Sequence, residues 1–287
     1  MKHVKLFEAF STQFLTEDQK IWLDKCAKGG WRLNPLTGLV DVDGYFDCLA
    51  QSLTDFKGVR FGHVKGIFRC INNQLTSLVG APKTIGTHFA CTNNQLTSLE
   101  GAPQIVNGNF HCNDNQLTSL VGAPKIVGWG FYCGRNQLTS LVGAPKAVKG
   151  DFDCGVNQLK SLDEAPQTVG GYFYCSNNQL TSLEGAPKTV KGNLYCANNQ
   201  LTSLDGAPGS VGGNFNCRGN EVSEETLASI FSLMKNGKSY QQALEEFWPD
   251  MDNDDRSLMY KDHSSLTSEE SRRYQALDTV NRIKKYL

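Results

Sequence analysis

Ten cysteines are the residues of this 287-residue chain with the most chemistry to offer. In that number they would normally build disulfides in a secreted chain or metal sites in a cytosolic one. Their spacing points elsewhere. After Cys26 they stand at Cys48, Cys70, Cys91, Cys112, Cys133, Cys154, Cys175, Cys196 and Cys217, one step of 22 followed by seven steps of 21. So even a metric belongs to an architecture, in which each thiol acts as a small buried hydrophobe. Stacked coils would bring successive cysteines to about 4.8 Å at Cα, but parallel side chains keep their Cβ atoms too far apart for easy bridging.

Two further clusters have a chemical look. Cys26 stands off the register near Lys25 and Lys28, whose charges would lower a thiol pKa. No base lies close in sequence, so helix packing is its expected role and a nucleophile the alternative. Asp250-Met251-Asp252-Asn253-Asp254-Asp255 has the opening of a calcium-binding EF-hand loop, but Asp255 fills the sixth position, which needs Gly, and Lys261 the twelfth, which needs a bidentate Glu. A solvated acidic loop is the expectation, with docking of a basic partner as the alternative. No Ser/His/Asp, paired-carboxylate or phosphate-loop constellation stands in the chain. The expectation is a protein that is not an enzyme, with no cofactor and no metal.

From each periodic cysteine one phrase recurs, C-x-x-N-x-L-x-x-L-x-G-A-P-x-x-V-x-G-x-F-x-C. Leucines at 75, 96, 117, 138, 159, 180 and 201, a second leucine three residues on, a proline and an aliphatic residue all keep the 21-residue step. A unit this short cannot bury its own apolar face, so neighbouring units must stack and share one core. Phe-x-Cys alternates with period two and puts both side chains inward on a short strand, with the middle residue outward. Asn73, Asn94, Asn115, Asn136, Asn157, Asn178, Asn199 and Asn220 sit where the chain leaves that strand. An amide there can donate to and accept from the backbone of a closed turn, so these asparagines read as a structural ladder. Pro and Gly on the return predict irregular or polyproline-like segments rather than helices.

Phe131-Tyr132-Cys133-Gly134-Arg135-Asn136-Gln137-Leu138 resembles the later part of the leucine-rich-repeat strand, written LxxLxLxxNxL, with Phe and Cys at leucine positions. The first leucine position is displaced by one, because Val127 stands four residues before Phe131. The Pro-containing return resembles the shortest bacterial repeats, known from secreted effectors. The L-T-S-L-E-G-A-P phrase is similar to repeats in proteins of large tailed bacteriophages. The resemblance implies a leucine-rich-repeat-like, right-handed coil with one parallel sheet, an α-helical N-terminal cap and an α-helical C-terminal region. The expected organisation is 1–43 as helical and strand cap, 44–220 as about eight coils, and 221–287 as a helical region.

The flanks suit that scheme, since both ends of a stack of coils must be covered. Phe7, Phe10, Phe14, Leu15, Ile21, Trp22, Leu23 and Cys26 have helical spacing before Gly29-Gly30. Trp31–Leu33 and Leu39–Val42 then read as a strand pair around an Asn34-to-Gly38 turn, leading into a degenerate coil at Phe46-Asp47-Cys48. After Asn220, Ser239-x-x-Gln242 and Thr267-x-x-Glu270 have capping-box spacing, and Tyr274, Leu277, Val280, Ile283 and Leu287 form one apolar stripe. That stripe folds back on the solenoid or meets a partner, so the C-terminal helices could mediate assembly and the oligomeric state stays open.

Charge narrows the partner. With 28 basic residues against 29 acidic, the broad positive field that holds nucleic acid or an anionic membrane is missing. No apolar run reaches the roughly 20 residues of a membrane span, and a cytoplasmic protein is the default. What varies while the interior stays fixed is the set of residues beside Phe and Cys. Arg69, His88, His111, Tyr132, Arg135, Asp151, Asp153, Tyr172, Tyr174 and Tyr195 should face outward on the concave sheet, and Tyr, His and Arg are the types that anchor interfaces. The expected function is protein binding on that face, phage-encoded and directed at a host or phage protein, in host takeover or inhibition of a defence system. A virion component is the alternative. Recognition by an enzyme is a third, although the effector ligases with similar repeats need a cysteine after the repeats and none follows Cys217.

Overall fold

A computed structural model describes residues 15–222. The expectations on Phe7, Phe10 and Phe14, and on everything after Val222, including the capping boxes, the acidic loop and the final stripe, lie outside the described residues.

Within them the chain is a β-solenoid of parallel-stacked coils. Phe-x pairs form a run of short strands, Phe68–Arg69, Phe89–Ala90, Phe110–His111, Phe131–Tyr132, Phe152–Asp153 and Phe173–Tyr174. Tyr45–Asp47 precedes them, Leu194–Tyr195 and Phe215–Asn216 follow, and each pairs with the next in parallel register. Ala27–Lys28 adds an antiparallel edge strand, which makes ten.

The expectation of one sheet needs correction. Thr84–Ile85, Ile105–Val106 and Ile126–Val127 form a second parallel ladder with Phe61–Val64 and the Trp31–Leu33 and Val40–Val42 hairpin. Ala147–Val148, Thr168–Val169, Thr189–Val190 and Ser210–Val211 form a third. The return after Gly-Ala-Pro is therefore irregular only as far as the proline. Just beyond it a β-branched pair meets the same pair of its neighbour, and such residues pack well on a pleated surface. Between Val127 and Val148 this pairing lapses, where Ala147 replaces the Thr or Ile of the preceding coils.

Identical residues in register make the core. Phe46, Phe68, Phe89, Phe110, Phe131, Phe152 and Phe173 are fully buried, and their rings follow one another at 5.0 to 5.9 Å with interplanar angles of 7° to 26°. Both leucines of each phrase and every periodic cysteine line the same interior. The single 22-residue step is absorbed on the second ladder, where Val40 faces Phe61 but Val42 faces Val64, so the extra residue bulges at Gly62-His63.

Helix α1, Glu17–Cys26, closes the N-terminal end. Thr16 and Gln19 form a capping box, and Trp22, Leu23 and Cys26 are buried. The Trp22 ring meets Phe46 edge-on at 5.2 Å and Phe61 at 6.3 Å, capping the phenylalanine stack. Ile21, expected on the apolar face, is 64% exposed on the opposite side of the helix.

Candidate binding face

Each coil leaves its strand by a fixed turn. The second residue after the cysteine takes a left-handed conformation at Asn72, Asn93, Asp114, Arg135, Val156, Asn177 and Asn198. Asn and Asp tolerate that region; a β-branched Val does not do so without strain. The following Asn turns inward. Asn94 donates from Nδ2 to the carbonyls of Cys70 and Cys91, both at 2.9 Å, and its Oδ1 accepts from the Leu75 amide of the preceding coil at 3.0 Å. The same contacts recur from Asn73 to Asn220, stitching each coil to the one before it.

The cysteines are all free, and burial pushes their thiols up. Cys217, near the end of the stack, is pushed up to about 12. Cys26 corrects the expectation drawn from its neighbours. Desolvation in the helix–coil contact raises its pKa and outweighs the lowering by Gln51, Lys25 and Lys28. Among the described residues, no group of three or more His, Cys, Asp or Glu is placed to hold a metal ion.

Outside, the sheet presents parallel lanes of side chains one coil apart. In the lane just before each strand's first inward residue, four acceptor side chains bind the backbone amide of the same position in the next coil. His88 Nδ1 accepts from Asn109 at 2.9 Å, Asn109 from Gly130 at 2.8 Å, Asp151 from Tyr172 at 2.8 Å and Asn193 from Asn214 at 2.8 Å. His88 and Asp151 therefore already hold the coils together. The signal was in the sequence, since the lane is rich in acceptors. Arg69 is likewise occupied, paired with Asp47 at 3.0 Å.

The remaining residues gather toward the middle and C-terminal half of the sheet. His111 stacks on Tyr132 with centroids 4.5 Å apart and planes 5° from parallel, and the Tyr132 hydroxyl donates to Asp151 at 3.1 Å. Burial first, then the negative field of Asp151, raises the Tyr132 hydroxyl to about 12. Burial and nearby His88 lower the His111 pKa, which favours the neutral ring. Tyr174 tilts against Tyr195 at 5.4 Å, and Tyr172 meets Tyr195 edge-on at 6.2 Å. Arg135 is exposed at its turn.

Glycines set how these rings lie, and they were missed in the sequence. A Cβ at Gly130 would stand 2.6 Å from the Tyr132 ring, and one at Gly155 would collide with the ring of Tyr174. Both aromatics thus lie flat over glycine and are half-buried rather than upright. Trp129 was also missed. It is 64% exposed, in a lane otherwise occupied by Gly or Thr.

Structural comparison finds similarity to YopM from Yersinia enterocolitica WA-314, with a TM-score of 0.35 and 15% identity over 63% of this chain. The match spans about three fifths of YopM, 61% of its length. No protein-family model and no curated relative matches the chain. No helix among the described residues is long and apolar enough to cross a membrane.

Proposed function

We propose that this chain is a protein-interaction module whose partner docks on the outer face of the ten-stranded sheet, between Tyr132 and Tyr195. The observation that carries the reading is an internal comparison. The coils share one interior, so the differences among them on the outer face are not dictated by the core. In the lane just after each Phe the residue varies among the coils, and in four neighbouring coils Tyr132, Asp153, Tyr174 and Tyr195 succeed one another in register. Aromatic rings with hydroxyl handles bring contact area at low entropic cost.

The coil from Cys154 to Tyr174 adds support. It alone places Val156 at the left-handed turn, and it places Glu164, at φ 65°, where the other coils have a positive-φ glycine. Backbone strain of this kind persists where side-chain identity matters more than stability. Similarity of the repeat phrase to proteins of large tailed bacteriophages supports a finer reading: a phage-encoded module that captures a host or phage protein in the host cytosol, in host takeover or anti-defence.

Affinity purification from cells in which the protein acts tests this. Tagged wild type should retain a partner that the Tyr172→Ala, Tyr174→Ala, Tyr195→Ala triple variant loses while staying folded by circular dichroism. Retention of the same partner by the folded triple variant would remove the proposal.

A further inference from the structure

We infer that the sheet face around Asp153 and Tyr174 is a receptor for a cationic side chain, an arginine by preference, carried on an exposed segment of the protein partner; this rests on the docking face proposed above. The same lane of the solenoid contains its own control. At the N-terminal end, the lane places Asp47 opposite Arg69 of the next coil, and the two form an ion pair at 3.0 Å. Farther along, Asp153 stands in the equivalent position, but its neighbours in register are Tyr132 and Tyr174. Among the described residues, none of Asp114, Asp151 and Asp153 forms an ion pair within 4.0 Å, whereas Asp41, Asp43 and Asp47 all do.

The surroundings suit a planar cation. Position 71 and its equivalents carry Ile71, Thr92, Asn113, Ser176, Ala197 and Arg218, but two consecutive coils have Gly134 and Gly155. Over that bare floor lies the Asp153 carboxylate, both of its oxygens 3.1 Å from where a Gly134 Cβ would stand, with the Tyr174 ring over Gly155. One carboxylate oxygen already accepts from the Gly155 amide at 2.9 Å, which fixes its direction. Burial raises the pKa of Asp153, Asp114 and Asp151 raise it further, and Arg135 is the cation that offsets them. Three carboxylates against one guanidinium leave net negative potential beside an aromatic face. A guanidinium satisfies both, since it bonds carboxylates in a fork and stacks on rings.

The probe is a synthetic peptide, acetyl-Arg-Gly-Arg-Gly-Arg-amide, with a citrulline-substituted peptide as its neutral isostere. Binding is followed by heteronuclear NMR on the full chain. The arginine peptide should shift resonances of Gly134, Asp153, Gly155 and Tyr174, weaken with added salt, and bind at least tenfold more tightly than the citrulline peptide. Asp153→Asn keeps an oxygen for the Gly155 amide, so the fold is retained, and should lower affinity about tenfold. Arg135→Gln removes the competing cation and should raise it. Equal binding of both peptides, affinity unchanged in Asp153→Asn, or no binding of the arginine peptide at millimolar concentration would overturn the inference. A protein partner that needs the three tyrosines but ignores salt and Asp153→Asn would sink the cation reading and leave the docking face standing. A partner indifferent to both changes would sink the two together.

Discussion

Replacing Asn115 by Ala isolates what the inward asparagine does for the stack. Asn115 Nδ2 donates to Cys91, Cys112 and Asn113 carbonyls at 3.1, 3.2 and 3.1 Å, while its Oδ1 accepts from the Leu96 amide at 3.0 Å. Loss of the side chain does not orphan every partner. The Cys91 carbonyl keeps Asn94 at 2.9 Å, and the Cys112 carbonyl keeps Asn136 at 3.0 Å. The Leu96 amide belongs to a fully buried residue and loses its acceptor. An orphaned buried donor costs about 1–3 kcal/mol and the thinned carbonyl contacts roughly 1 more, for a total of about 2–4 kcal/mol. For a domain of this size that lowers the melting midpoint by roughly 5–15 °C. The neighbouring Gln116→Ala, at an exposed side chain, should stay within about 0.5 kcal/mol of wild type. Circular dichroism melts give the global cost. Hydrogen exchange gives the local one, because the Leu96 amide should lose protection while the Gln95 amide, bonded to the Leu75 carbonyl at 2.9 Å, keeps it. A midpoint no lower than that of Gln116→Ala, or full protection at Leu96, would refute the reasoning.

Three other outcomes follow from the same structure. All ten thiols are buried with pKa values raised by desolvation, Cys26 included, so Ellman's reagent at pH 8 should label none of them until denaturant is added; rapid labelling of Cys26 would show that its lysines win after all. Val156 holds φ 55° with an exposed side chain, and Val156→Asn should stabilise the chain by about 1 kcal/mol, read as a rise in melting midpoint; a fall would mean that Val156 packs in a way its exposure denies. Asp153 has a folded-state pKa above its unfolded value, so its ionisation opposes folding and the lost stability appears as pH rises through the raised pKa. Asp153→Asn should therefore be more stable than wild type at neutral pH, with the advantage shrinking to nothing below the unfolded carboxylate pKa of about 3.9; an advantage independent of pH would exclude this cause.

How much of this could be read from the chain alone depended on whether the controlling neighbour was local. The interior followed directly, because Phe, Cys and Leu at a 21-residue step have only one way to be buried together. The second ladder did not follow. Thr84-Ile85 and its equivalents are two-residue strands with too little length to show alternation, and the prolines before them draw attention to the return as a whole. Exposure on the sheet face was also misjudged, because the direction of each side chain depends on the coil beside it. His88 looks free until the Asn109 amide comes within 2.9 Å, and Tyr174 looks upright until Gly155 leaves room for it to lie down.

Those partners are remote in an ordinary sense but regular in this one. His88 and Asn109, Asp151 and Tyr172, Asn193 and Asn214, and Ser176 and Ala197 are each 21 apart, and Asp47 and Arg69 are 22 apart across the one longer step. A solenoid places residue i against residues i ± one period, so its long-range contacts are nearly as predictable as the i, i+4 contacts of a helix. Written as lanes instead of a line, the sequence already sets His88, Asn109, Asp151 and Asn193 one period before the amides they meet and an arginine beside Asp47. It sets tyrosines beside Asp153 where Asp47 has an arginine, and that contrast is the one on which the proposed docking of a cationic partner rests.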